Sequence, residues 1–247
     1  MLRSVKEIMA CSLESKSGEI GKSKDLLFDD DKWVIRYLVA DTGKWLLRRQ
    51  ILISPISLKG IDWDTQQLPV DLSKEQIESA PSIETDMPVS RQFEIELSKH
   101  NNWPYYWTGE QAMGAMLTPG GAYPTIFDKD KSEADVKRDK HLRSVNEVTG
   151  YHLLAEDGEI GHVEDFIVDD EAWAIRYIVV NTRNWLPGKK VLVSPFWSKT
   201  IDWAERKILF GVTMEQIKNS PEYDPTKSIT PDYEDLLFDY YGILKDI

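Results

Sequence analysis

Histidines, a lone cysteine and two acidic triplets are the residues of this 247-residue chain best suited to metal or nucleophilic chemistry. His152 and His162 flank Asp157-Gly158, a two-residue hairpin signal. Counting across that turn sets Leu153 opposite His162 and His152 opposite Val163. The imidazoles are then diagonal neighbours on adjacent strands, where two rings can share an ion. Asp29-Asp30-Asp31 and Asp169-Asp170-Glu171 offer carboxylate oxygens of the kind calcium takes. They lack the spaced ligands and glycine of a dedicated loop, so solvated turns are expected. Cys11 has no histidine at a motif spacing and reads as a buried structural thiol. No G-x-S-x-G, P-loop or dinucleotide fingerprint occurs. The expectation is a chain without catalytic residues, metal or cofactor, and not an enzyme.

Other residues have the types for recognition. Trp45-Leu46 precedes Arg48-Arg49, and Trp185-Leu186 precedes Lys189-Lys190. Large apolar loop residues flanked by cations suit a partner anchor. The competing reading folds both tryptophans back over one end of the domain and leaves the cations solvated. Two arginines, Arg36 in "WVIRYLV" and Arg176 in "WAIRYIV", interrupt apolar strands. A tight turn at Asp30-Asp31 would pair Phe28 with Trp33 and set Asp25 opposite Arg36. The same count sets Asp165 opposite Arg176. Each pair then reads as a register-fixing ion pair rather than a ligand site.

These features come in pairs because the chain carries one module twice. An offset of 140 residues holds without a gap from Leu2/Leu142 to Pro81/Pro221, with about 32 of 80 positions identical. Each copy is a control on the other. His152 and His162 correspond to Ser12 and Lys22, so the fold does not require them, and the metal reading weakens.

The elements follow from local patterns. Ser4-x-x-Glu7 and Ser144-x-x-Glu147 are capping boxes. Hairpins turn at Ser17-Gly18 and Asp157-Gly158, and the next strand alternates Trp33, Ile35, Tyr37 and Val39 on one face. Ser73-x-x-Gln76 and Thr213-x-x-Gln216 cap a further short helix. Beyond each copy, Ser90 and Thr230 cap a helix with Phe93/Leu97 or Tyr233/Leu237 on one face. About six closely spaced strands per copy predict a small antiparallel barrel. The expected organisation is a first repeat over 1–90, then a helix and an aromatic-rich linker over 91–140. A second repeat over 141–225 and a helical tail over 226–247 follow.

The order Gly18-Glu19-Ile20-Gly21, aliphatic strand ending in acids, strand ending at Asp41, Trp45-Leu46 loop and strand ending in Pro55 resembles the PRC-barrel domain. All of it recurs 140 residues on. The first copy departs from the pattern at Leu47-Arg48, where the second keeps Pro187-Gly188. The domain is named from the cytoplasmic part of photosynthetic reaction-centre H subunits and also occurs in a ribosome maturation factor. The resemblance implies a mainly β fold of two PRC-like barrels used as an adapter or assembly surface, with no catalytic motif.

Bulk composition bounds the partners. A net charge of −12 argues against nucleic acid as the main partner. One cysteine fits a reducing compartment. No signal peptide and no membrane span are expected, and the chain reads as cytoplasmic. The reading is therefore a non-catalytic binding protein with an unidentified protein partner, forming a homodimer through the Phe93/Leu97 and Tyr233/Leu237 segments or the linker. An RNA- or ribosome-associated maturation factor is the alternative. An enzyme with a site between the barrels is the third reading.

Overall fold

A run of short strands broken by turn residues dominates each copy, and the fold is mainly β. The computed structural model describes residues 1–81, 83, 89–107, 142–182 and 189–242. The first copy forms β1 (Leu2–Ser4), α1 (Val5–Ala10), β2 (Ser12–Ser15), β3 (Gly18–Asp29), β4 (Val34–Asp41), β5 (Gln50–Ile53), β6 (Gln67–Val70) and α2 (Lys74–Ser79), followed by α3 (Arg91–Asn101). The second forms β7 (Leu142–Ser144), α4 (Val145–Val148), β8 (His152–Ala155), β9 (Gly158–Asp169), β10 (Ala174–Asn181), β11 (Lys190–Val193), β12 (Ser198–Asp202), β13 (Lys207–Phe210), α5 (Met214–Asn219) and α6 (Pro231–Tyr241).

The chain divides into two compact units, and the division does not follow the repeat. One unit is Met9–Leu142; the other joins Met1–Ile8 to Arg143–Ile247. We call them the first and second unit. Strand β1 pairs antiparallel with β9, Leu2 opposite Asp169 and Ser4 opposite Ile167. Leu2 packs on the second unit's core, and Leu142, its double, packs on the first unit's core. These contact units differ at the opening strand from the repeat bounds 1–90 and 141–225. Nor are α3 and α6 separate appendages, since Leu97 and Leu237 lie fully buried in the two cores.

In the first unit the strands run β6-β2-β3-β4-β5, and in the second β12-β13-β8-β9-β10-β11 with β1 on β9. The expected all-antiparallel closed barrels are not what these ladders form. Strand β6 joins β2 in parallel, and β13 joins β8 in parallel, so each sheet is mixed. Among the described residues no pairing brings the end strands of a unit together, and each sheet is open. The parallel pairing follows from the long excursion after β5 and β11, which returns the chain in the direction of β2 and β8.

The recurring Gly-Glu-Ile-Gly has a steric cause. Gly21 and Gly161 both have φ of +141°, and a Cβ there would collide with the carbonyl of Asp41 or Asn181. Next to each glycine the hairpin register slips by one residue. That bulge places His152 directly opposite His162, and not opposite Val163 as an unbroken count requires. The described residues include no helix long and apolar enough to cross a membrane.

Candidate interaction sites

The loop between β4 and β5 carries Trp45, Leu46, Arg48 and Arg49. Trp45 folds back: its indole Nε1 donates to the Ile20 carbonyl at 2.8 Å, and Lys74 Nζ lies 5.5 Å from the ring centroid. Arg49 is structural too, donating to the carbonyls of Glu78 (2.8 Å) and Ala80 at the end of α2. In the second unit Lys189 repeats that bond to the Lys218 carbonyl at 2.6 Å, while Lys190 pairs with Glu164 at 2.6 Å. Trp185 and Leu186 lie outside the described residues. Leu46 is half-buried, and Leu47 and Arg48 remain outward. Leu47 is 94% exposed, and both tip residues hold left-handed backbone, φ +53° and +57°. Beside the tip, Lys22, Lys44, Arg48, Glu19, Asp41 and Trp45 border a groove of about 550 Å³.

The expected pairing of Asp25 with Arg36 does not form. The β3–β4 ladder slips twice, between Ser23 and Asp25 and between Leu27 and Phe28, so Asp25 faces Val39. The turn is also wider than two residues: Asp29 is opposite Val34, and Trp33 turns back with φ +55°. Asp29 Oδ1 accepts from the amides of Asp31 and Lys32, at 3.1 and 3.0 Å. Its other oxygen takes buried Arg36 at 3.2 Å. Burial pushes the Asp29 carboxyl up, but these amides and Arg36 outweigh it and hold it below the usual range. Asp165 likewise faces Val179, not Arg176, and accepts from Ser4 Oγ at 2.5 Å. Burial raises its pKa. Arg176 is exposed.

The buried polar cluster of the first unit lies elsewhere. Glu94 on α3 is fully buried; its Oε2 accepts from Tyr37 Oη at 3.1 Å and Tyr106 Oη at 2.6 Å. Arg91 Nη1 stands 3.3 Å from Glu94 Oε1 and donates to Tyr106 Oη at 3.0 Å. The Arg36 guanidinium lies over the Tyr106 ring at 4.1 Å, and Arg91 over Trp107 at 4.1 Å. Burial drives the Glu94 carboxyl up, against the pull of Arg91 and the two phenols, to about 7. Tyr106 is buried and Trp103, Tyr105 and Trp107 half-buried, with Trp103 Nε1 donating to Ser57 Oγ at 2.8 Å. The aromatic segment is therefore a packed strap on its own unit.

The second unit keeps only part of this. Tyr177 Oη donates to Glu234 Oε1 at 2.8 Å, the same pair 140 residues on. Pro231 stands in place of Arg91, and Glu234 is half-buried. The helical spacing in the sequence singles out Phe93/Tyr233 and Leu97/Leu237. The identical glutamate beside each aromatic was the missed signal. Phe93, Leu97, Tyr233 and Leu237 all pack within their own units.

His152 Nδ1 is 3.0 Å from Glu159 Oε1, and among the described residues no group of three or more metal-ligating side chains comes together. Cys11 is buried. No protein-family model matches the chain, and no curated protein matches it.

Proposed function

We propose that the protein is a non-catalytic, cytoplasmic adapter built from two PRC-barrel-like repeats that bind a protein partner. The loop tip of the first unit carries this reading. A leucine and an arginine in left-handed backbone each cost ~1 kcal/mol, and such strain persists only where the surroundings fix it. Here Trp45 and Arg49 pin both sides of the tip, leaving Leu47 almost wholly in solvent. The same two residues are where the first copy departs from the PRC-barrel pattern. A stiff loop holding an apolar residue outward, with cations around it, suits a protein anchor. The resemblance to the family supports assembly as the role. A homodimer through the Phe93/Leu97 and Tyr233/Leu237 segments or the aromatic segment is part of the same proposal.

The test is a pull-down from native lysate with the intact chain and its Leu47→Asp variant as baits, with and without nuclease. Proteins recovered by the first bait, lost with the second and indifferent to nuclease support the adapter. Equal recovery by both baits overturns it, and recovery abolished by nuclease turns the reading to an RNA-associated factor.

A further inference from the structure

Within one chain, the first unit displays a ligand in a site whose residue types the second unit repeats, among the described residues without that ligand. In the first unit, Tyr106 is gripped by three residues. Tyr37 and Tyr106 share the Glu94 carboxylate, and the Arg36 guanidinium covers the Tyr106 ring. The second unit presents the same three residue types at the same offsets: Tyr177, Glu234 and Arg176. Tyr177 holds Glu234 by one hydrogen bond, as Tyr37 holds Glu94. Arg36 is 4% exposed beneath its aromatic cover, whereas Arg176 is exposed and Glu234 is half-buried. The residues 140 positions beyond Trp103–Trp107 are Ile243-Leu244-Lys245-Asp246-Ile247. At the same offset from Tyr106 the sequence carries Asp246, a residue type with no ring to offer an arginine.

We propose that Tyr177, Glu234 and Arg176 form a docking surface for an extended tyrosine-bearing peptide segment of a partner protein. The partner's phenol donates to Glu234 and its ring lies under Arg176, as Tyr106 does in the first unit. Tyrosine fits because it brings a rigid ring and one donor, the two features the pair of charged groups can each use. The surface is separate from the Leu47 tip and stands or falls without it.

A dye-labelled peptide of residues 101–107, Asn-Asn-Trp-Pro-Tyr-Tyr-Trp, is the probe, because it is the segment the first unit already holds. Fluorescence anisotropy with the full chain should show saturable 1:1 binding. A peptide carrying Tyr106→Phe should bind about tenfold more weakly, the effect of losing one hydrogen bond to a charged acceptor. Arg176→Ala in the protein should weaken binding similarly, and as a surface change it leaves the fold intact, which circular dichroism checks. No saturable binding at millimolar peptide, or binding that tolerates both substitutions, overturns the proposal.

Discussion

Tyr37 and Glu94 are joined by a 3.1 Å hydrogen bond from the phenol to the carboxylate, and it fastens α3 to strand β4 inside the first unit. The acceptor is fully buried and shared with Tyr106. Removing the phenol leaves that carboxylate with less compensation for burial. Tyr37→Phe should therefore destabilise the first unit by ~1–3 kcal/mol in urea unfolding. Tyr177→Phe should cost clearly less, because half-buried Glu234 can turn to water. Equal losses would show that burial does not set the worth of the bond.

Glu94 also sets a pH dependence. Its folded pKa, about 7, lies above the ordinary 4.5, so the folded chain holds a proton that the unfolded chain has released. The stabilisation is complete below about 4.5 and is lost as pH rises through 7. The span amounts to roughly 3 kcal/mol. Asp165, also raised by burial, adds to the same slope, while Asp29, held low, works the opposite way at more acid pH. Denaturation midpoints of the intact chain and Glu94→Gln, taken between these limits, isolate the glutamate: the variant should lose most of the slope.

The partner of Arg36 can be read from a double-mutant cycle. Asp29→Ala leaves a buried guanidinium uncompensated and should cost about 3 kcal/mol. Coupling between positions 29 and 36 should reach ~1–3 kcal/mol, and positions 25 and 36 should be additive. Coupling confined to Asp25 would restore the unbroken register.

Deleting residues 1–4 removes β1 from β9. Hydrogen exchange should then accelerate at Ile167–Asp169, in the second repeat, with β2 and β6 of the first repeat unchanged. Acceleration confined to the first repeat would contradict the pairing.

What the sequence announced and what it hid divide along one physical line. Local signals were legible: Ser73/Gln76 and Thr213/Gln216 form reciprocal capping boxes as their spacing requires. Counting across a ladder was not, because a bulge shifts every pairing beyond it, as Asp25 and His152 show. Glycine in Gly-Glu-Ile-Gly hints at such a bulge, but says nothing about where the slip between Leu27 and Phe28 falls. Exchange of the opening strand was invisible for another reason: identical strands fit either copy equally well, so nothing in Leu-Arg-Ser chooses between them. Glu94 was hidden because a glutamate beside a helix cap looks solvated until its tyrosines arrive from elsewhere.

Strand β1 precedes the whole first unit along the chain, yet Ser4 meets Asp165 161 residues later. During translation it must stay uncommitted while Met9–Leu142, the members of the first unit, are made. The second unit cannot be completed until the residues from Arg143 onward have been made, whatever the pace of the ribosome. Assembly of this chain thus has a built-in order, with Met1–Ile8 serving as its closing stitch.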